Sequence, residues 1–186
     1  MCNLGCEVYF TIDLSHSTSL QVMFANIPHL ESIYFSPSFQ TNNIKNISNL
    51  FDGCDILESI NISNFNTSNV VDMRRMFSGI RITSIDLSHF NTSNVKYMTE
   101  MFYNTFVLNS LNLSNFNTEN VIEMTRMFYE CNCLRYLDIT SFTINDINDN
   151  FKLMSQVLFP GTIILKREYI DKVQTIPSSW TKIPVD

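Results

Sequence analysis

At 186 residues, 45% hydrophobic and with a formal charge of −6 at pH 7, the chain can bury one continuous core and lacks the charge excess of a disordered region. The net charge and a pI near 5.0 argue against nucleic acid as the partner, because proteins that neutralise phosphates carry clustered Lys and Arg, and Arg74 and Arg75 stand beside Asp72. No stretch approaches the eighteen or so apolar residues of a membrane span, and Met1 to Phe10 lacks the basic start and apolar run of a signal peptide. Direct membrane insertion is therefore not expected, and the chain reads as not visibly addressed for export.

Taken in chain order, residues 1–30 read as a degenerate N-terminal rung. Ile12-Asp13-Leu14-Ser15 is its predicted strand, and Val22-Met23-Phe24 a remnant of a helix end. From 31 to 145 a unit of about 26 residues recurs, weakly from Ile33 through Phe39, Ile44, Ile47, Leu50 and Phe51. It is clearest in Ile60 to Phe77, Ile85 to Phe102 and Leu111 to Phe128, and is truncated at Leu137 to Phe142. Repeats of 20 to 29 residues with alternating apolar positions predict a leucine-rich-repeat solenoid, in which each unit buries its apolar face by stacking. Ile60-Asn61-Ile62-Ser63, Ile85-Asp86-Leu87-Ser88, Leu111-Asn112-Leu113-Ser114 and Leu137-Asp138-Ile139-Thr140 alternate as half-buried parallel strands. Phe65, Phe90, Phe116 and Phe142 then wedge the core where the chain leaves the sheet.

The following Asn-Thr-x-Asn-Val reads as a helix start. Thr or Ser at 67, 68, 92, 93 and 118, and Asn69, Asn94 and Asn120, would cap it. Val70, Met73, Met76 and Phe77 then mark the buried face of a short helix, repeated at Val95, Met98, Met101, Phe102 and at Val121, Met124, Met127, Phe128. The intervening charges, including Asp72, Arg74, Arg75, Glu100 and Arg126, are expected to face solvent. Residues 146–186 form a C-terminal cap with a strand after Gly161, a polar helical turn over 167–173, and Trp180 covering the core. The fold class is thus α/β: a single domain over 1–186, parallel strands on one face, short helices on the other, capped at both ends.

No catalytic set emerges. Ser63, Ser88 and Ser114 recur as a structural position does, whereas a nucleophile should be unique and have a base within reach. His89 fills a slot taken by Asn64 and Asn115, as a spectator would. Asp86 and Asp138 lie two rungs apart, roughly 10 Å at strand spacing, too far to share a small cation. The paired methionines suit core packing. Cys54 and Cys131 share a slot with Ile80 and Thr105, a small plug, and Cys131-Asn132-Cys133 is too close for a zinc half-site. Neither metal nor cofactor is expected.

What remains is a surface. Asn61, Asp86, Asn112 and Asp138 make one outward column; Ser63, Ser88, Ser114 and Thr140 make another, with Tyr136 alongside. These are the candidate interaction residues for a macromolecular partner, a protein or a glycan-bearing surface.

Leu-Ser-x-Phe-Asn-Thr-Ser-Asn-Val-x-x-Met-x-x-Met-Phe, as in Leu87 to Phe102, and its continuation through Cys131 and Leu134 to Leu137, resembles the BspA-like leucine-rich repeats over roughly residues 30 to 145. Those repeats occur in bacterial surface lipoproteins, including those of mycoplasmas, and in some protists and large viruses. The resemblance implies a surface adhesin or interaction module without catalytic residues. The alternative is a scaffold inside a cell or virus particle, toward which the thiols and the missing export signal point. Asn46, Asn61, Asn66, Asn91 and Asn112 head Asn-x-Ser/Thr acceptor sequences, which an Asn-rich chain produces readily.

Overall fold

The computed structural model describes residues 7–10, 14–143, 154, 159–171, 173 and 176–186. Among the described residues seven short strands, β1 (Glu7–Phe10), β2 (Ser32–Phe35), β3 (Ser59–Asn61), β4 (Ser110–Asn112), β5 (Tyr136–Asp138), β6 (Thr162–Lys166) and β7 (Thr181–Val185), form two parallel sheets ordered β1-β2-β3 and β4-β5-β6-β7. Equivalent apolar residues of successive rungs meet, Ile33 against Ile60 and Leu111 against Leu137. A second seam runs along the other side of the rungs as parallel bridges from Ser19 through Asn46, Asp72 and Tyr97 to Glu123. Between these two sides lies the core, and Phe65, Phe90, Phe116, Phe142 and all six repeat methionines are buried in it.

The expected leucine-rich-repeat solenoid, an α/β fold with short helices on one face, is corrected by this structure. Among the described residues the one helical element is a 3-10 turn at Arg167–Tyr169. Val70–Phe77 and its counterparts are stacks of tight turns. The cause is visible in the backbone: Arg75, Glu100 and Arg126 have φ of 55°, 58° and 56°, and Gly79, Asn104 and Glu130, four residues on, have 72°, 54° and 61°. A right-handed helix requires φ near −60°, and an L-residue held at positive φ costs roughly 1–2 kcal/mol. That cost is offset between rungs. The N–H groups of Met73, Arg75, Phe77 and Gly79 donate to the carbonyls of Tyr97, Thr99, Met101 and Tyr103, while Met76 and Ser78 close local turns onto Met73 and Arg75. Each alternate amide thus spends its bond on the next rung instead of on its own helix. Val22-Met23-Phe24, expected as a helix end, is the first such turn, with Val22 at φ 55°. Of the strand expected at Ile12 to Ser15, Ile12 and Asp13 lie outside the described residues.

One rung departs from the others. Ile85-Asp86-Leu87-Ser88 was expected to be a strand, and it is not: Ser84–Leu87 joins neither sheet, and the two sheets end on either side of it. Ile60, Leu111 and Leu137 each follow the preceding helix-position phenylalanine by nine residues, whereas Ile85 follows Phe77 by eight. The missing residue abolishes the turn that brings the chain back to the sheet. Leu57, Leu108 and Leu134 close that turn onto Cys54, Thr105 and Cys131; the shortened Ile80-Arg81-Ile82 makes no such bond. The segment is one residue short, about 3.3 Å of extended chain; it keeps its faces, with Leu87 buried and Asp86 and Ser88 exposed, but loses the ladder bonds.

At the C-terminal end, β6 stands where a last strand was expected, and β7 follows it. Trp180 is buried, and its indole N–H donates to the Phe159 carbonyl at 3.0 Å. Gly161 is required beneath it, because an added Cβ would lie 2.7 Å from the indole ring. The Thr181 N–H faces β6, donating to Gly161, so the alternation turns the main chain of Lys182 and Pro184 to the outer edge. Proline's missing donor is thus placed on the edge, where it blunts further strand pairing.

Candidate functional site

The polar columns are closed on themselves by short bonds. The Oδ1 atoms of Asn61, Asp86, Asn112 and Asp138 accept the N–H of Ser63, Ser88, Ser114 and Thr140 at 2.9–3.1 Å. Asn and Asp recur at this place because either offers an acceptor two residues upstream of a free amide. The bonds from the Ser88 N–H and hydroxyl lower the Asp86 carboxyl below its ordinary value, with a smaller contribution from His89. Asn61, Ser63, Asp86, Ser88, Asn112 and Ser114 are exposed; Tyr136, Asp138 and Thr140 are half-buried. The sheet sets Asn112 directly beside Asp138, and Ser110 beside Tyr136. Asp86 has no such neighbour, since its rung is outside the ladder.

At that irregular rung the face opens. A cleft of about 210 Å³ is lined by Ile60, Asn61, Ile62 and Ser63 on one wall and Ser84, Ile85, Asp86 and His89 on the other. In the intact sheet the Leu113 and Ile139 amides bond to the following rung at Asp138 and Ile164; the equivalent amides of Ile62 and Leu87 make no such bond. The cleft is closed at its ends, by the Arg81 N–H on the Leu57 carbonyl and by His89 Nε2 at 3.0 Å from the Ile62 carbonyl. A carbonyl only accepts, so that ring nitrogen carries the proton. His89 was expected to be a spectator; it serves instead as a tie. Asn64, Asn115 and Ser141, in the same slot, lie within hydrogen-bond distance of two or three carbonyls of the rung before, among which they share their protons, where His89 reaches one.

The expected helix caps have a different task. Thr41, Thr67 and Thr118 are buried, and each hydroxyl donates to a carbonyl of the next rung while accepting that same residue's N–H. Thr92 donates likewise to Asn117. The amides of Asn69, Asn94 and Asn120 reach back to carbonyls at 42, 68 and 93. A run of the same residue at one repeat position signals such a ladder as well as it signals a cap, so the sequence alone left the choice open.

The turn side carries what the columns lack. Its charges are paired across rungs: Arg75 bridges Asp52 and Glu100, and Arg126 reaches Glu100 at 3.4 Å. Arg74 binds Asp72 at 2.6 Å, and that carboxylate raises its already high pKa. The guanidinium groups of Arg74, Arg75 and Arg126 lie over Tyr97, Tyr103 and Tyr129, and the last two rings stack 5.6 Å apart. The expectation of simply solvated charges is thus corrected; stacking sets like positions of unlike charge beside each other.

Cys54 and Cys131 are buried, their thiols donating to the Phe24 and Phe102 carbonyls, and burial pushes the Cys131 thiol up to about 12. Among the described residues no group of three or more His, Cys, Asp or Glu side chains is placed to hold a metal ion, and no helix is long and apolar enough to cross a membrane.

A family described as "Mycoplasma protein of unknown function, DUF285" matches residues 18–142, the span from the first stacked turn to the last phenylalanine wedge. The chain belongs to that family. The DUF285 match covers the rungs that carry the threonine ladder, the tyrosine and arginine turns and the irregular rung alike. No curated protein and no solved structure matches the chain.

Proposed function

We propose that this DUF285 chain is a non-catalytic interaction module, part of a surface protein of the adhesive kind implied by the BspA-like resemblance. It would present its strand-side columns to a protein or glycan-bearing surface. The observation that carries this reading is the exposed row Asn61, Ser63, Asp86, Ser88, Asn112 and Ser114, in which the side chains of Asn61, Asp86 and Asn112 are each tied to a main-chain amide two residues on. Side chains already ordered before contact lose little entropy on binding, so many weak polar contacts can sum to a useful affinity. The test compares wild type with a variant carrying Asp86→Lys and Asp138→Lys, in parallel captures from cell lysate and from a host-surface extract. Capture from the surface extract that is lost in the variant supports the reading.

The second reading is a scaffold component inside a cell or virus particle, joined to neighbours through its turn side. Tyr97, Tyr103, Tyr129, Arg74, Arg75 and Arg126 favour it, since Tyr and Arg dominate the energetics of protein interfaces. Equal capture by wild type and variant, lost on Tyr103→Ala, selects this alternative.

A further inference from the structure

The irregular rung leaves main-chain groups where the sheet elsewhere has a ladder. Ile60 and Ile62 line the cleft, their rung's far edge paired to β2 and its near edge facing Ser84–Asp86 without ladder bonds. Beneath the cleft, Phe65 and Phe90 are both buried, Phe65 stacked on Phe39 and Phe90 on Phe116. An interrupted edge of this type is the surface on which extended peptides add as strands, main-chain bonds giving affinity and side-chain contacts giving selectivity. At about 210 Å³ the cleft suits two or three extended residues and no folded element.

Its charge selects among peptides. Asp86 is inside the cleft, exposed, and held ionised by the Ser88 amide; Glu58, also exposed, precedes β3. The neighbouring Arg81 is turned onto the Phe106 ring, and His89 is committed to the Ile62 carbonyl. We propose that this cleft takes an extended peptide segment bearing Lys or Arg, which pairs with the main chain of Ile60 and the N–H of Ile62 and sets its cation against Asp86. The inference rests on the interaction-module reading and names the partner's chemistry for that face.

Three blocked pentapeptides test it by calorimetric titration into the full chain: Lys-Val-Lys-Val-Lys, its counterpart with Glu for Lys, and the basic peptide N-methylated at alternate residues. Saturable binding of the unmethylated basic peptide alone is expected. Asp86→Asn should weaken it about threefold, as loss of an exposed ion pair does, and inserting one Asn between Arg81 and Ile82, which restores the missing turn, should abolish it. Equal binding of the methylated peptide would show charge attraction without strand pairing and overturn the proposal; so would binding unchanged by the insertion, or no binding by any peptide. Should the insertion variant fail to fold, the methylated peptide and Asp86→Asn decide alone. A surface partner captured through Asp138 while no peptide binds would sink this inference and leave the interaction-module reading standing.

Discussion

On the turn side, Phe24, Phe51, Phe77, Phe102 and Phe128 stack in one unbroken run, 5.4–6.2 Å apart, and the bridges from Ser19 to Glu123 follow the same path. On the strand side, the same rungs yield two sheets, with Phe39 stacked on Phe65 and Phe90 on Phe116 as separate pairs. The repeat is equally regular in the Thr-x-Asn-Val and Met-x-x-Met-Phe positions of both neighbours, so the difference arises in the return segment, where one residue is absent. A stack of this kind tolerates a local length change on one side because the other side keeps the rungs aligned.

That contrast can be broken first at the aromatic stack. Phe102→Ala should cost about 4 kcal/mol in chemical denaturation, because Phe102 is fully buried between Phe77 and Phe128; Phe65→Ala, with no ring beyond it, should cost less. Thr67→Val should cost about 2 kcal/mol, since it strands the Asn91 N–H and carbonyl at the junction that the sheet does not hold.

A pH series probes the buried thiol. The Cys131 thiol, raised by burial from 9.0 to about 12, favours the fold below pH 9; as pH rises from there toward 12 the unfolded chain releases a proton that the folded chain keeps. Stability should therefore fall by about 1.4 kcal/mol per pH unit across that window, and Cys131→Ala should flatten the slope. Iodoacetamide labelling read by peptide mass should find Cys131 and Cys54 protected until unfolding.

Restoring the missing residue after Arg81 should stabilise the protein by about 1 kcal/mol and slow hydrogen exchange at Ile62 and Leu87, converting the strand side into a copy of the turn side. The smallest effect is at Asp86, whose carboxyl is lowered by the Ser88 bonds. Its contribution is present above the ordinary carboxylate range and lost as pH falls through the lowered value. The Ser88 amide shift should report a titration below that of an exposed aspartate, and Ser88→Ala should raise it.

The repeat itself was legible because an apolar residue at the same place in every rung must be buried for stacking to be stable; the burial of Phe65, Met73, Met76, Phe77, Cys54 and Cys131 follows from position alone. Helix against turn was not legible. Val70, Met73, Met76 and Phe77 carry the spacing of a helix face, but that spacing also fits two tight turns with left-handed residues at Arg75 and Gly79, and only stacking supplies the bonds that offset those conformations. The alternation made the exposure of Asn61, Ser63, Asp86, Ser88, Asn112 and Ser114 legible, whereas Tyr136, Asp138 and Thr140 are half-buried, and the bonds from Asn61, Asp86, Asn112 and Asp138 to their own main chain appear only in the folded chain.

The sequence by itself determined the period, the core residues, the outward polar columns and the acidic balance, because these depend on composition and on recurrence at fixed positions. The tertiary structure decided the handedness of each turn and the threonine and arginine ladders. Those depend on hydrogen bonds between residues about 26 apart, a partner that no local window of sequence contains.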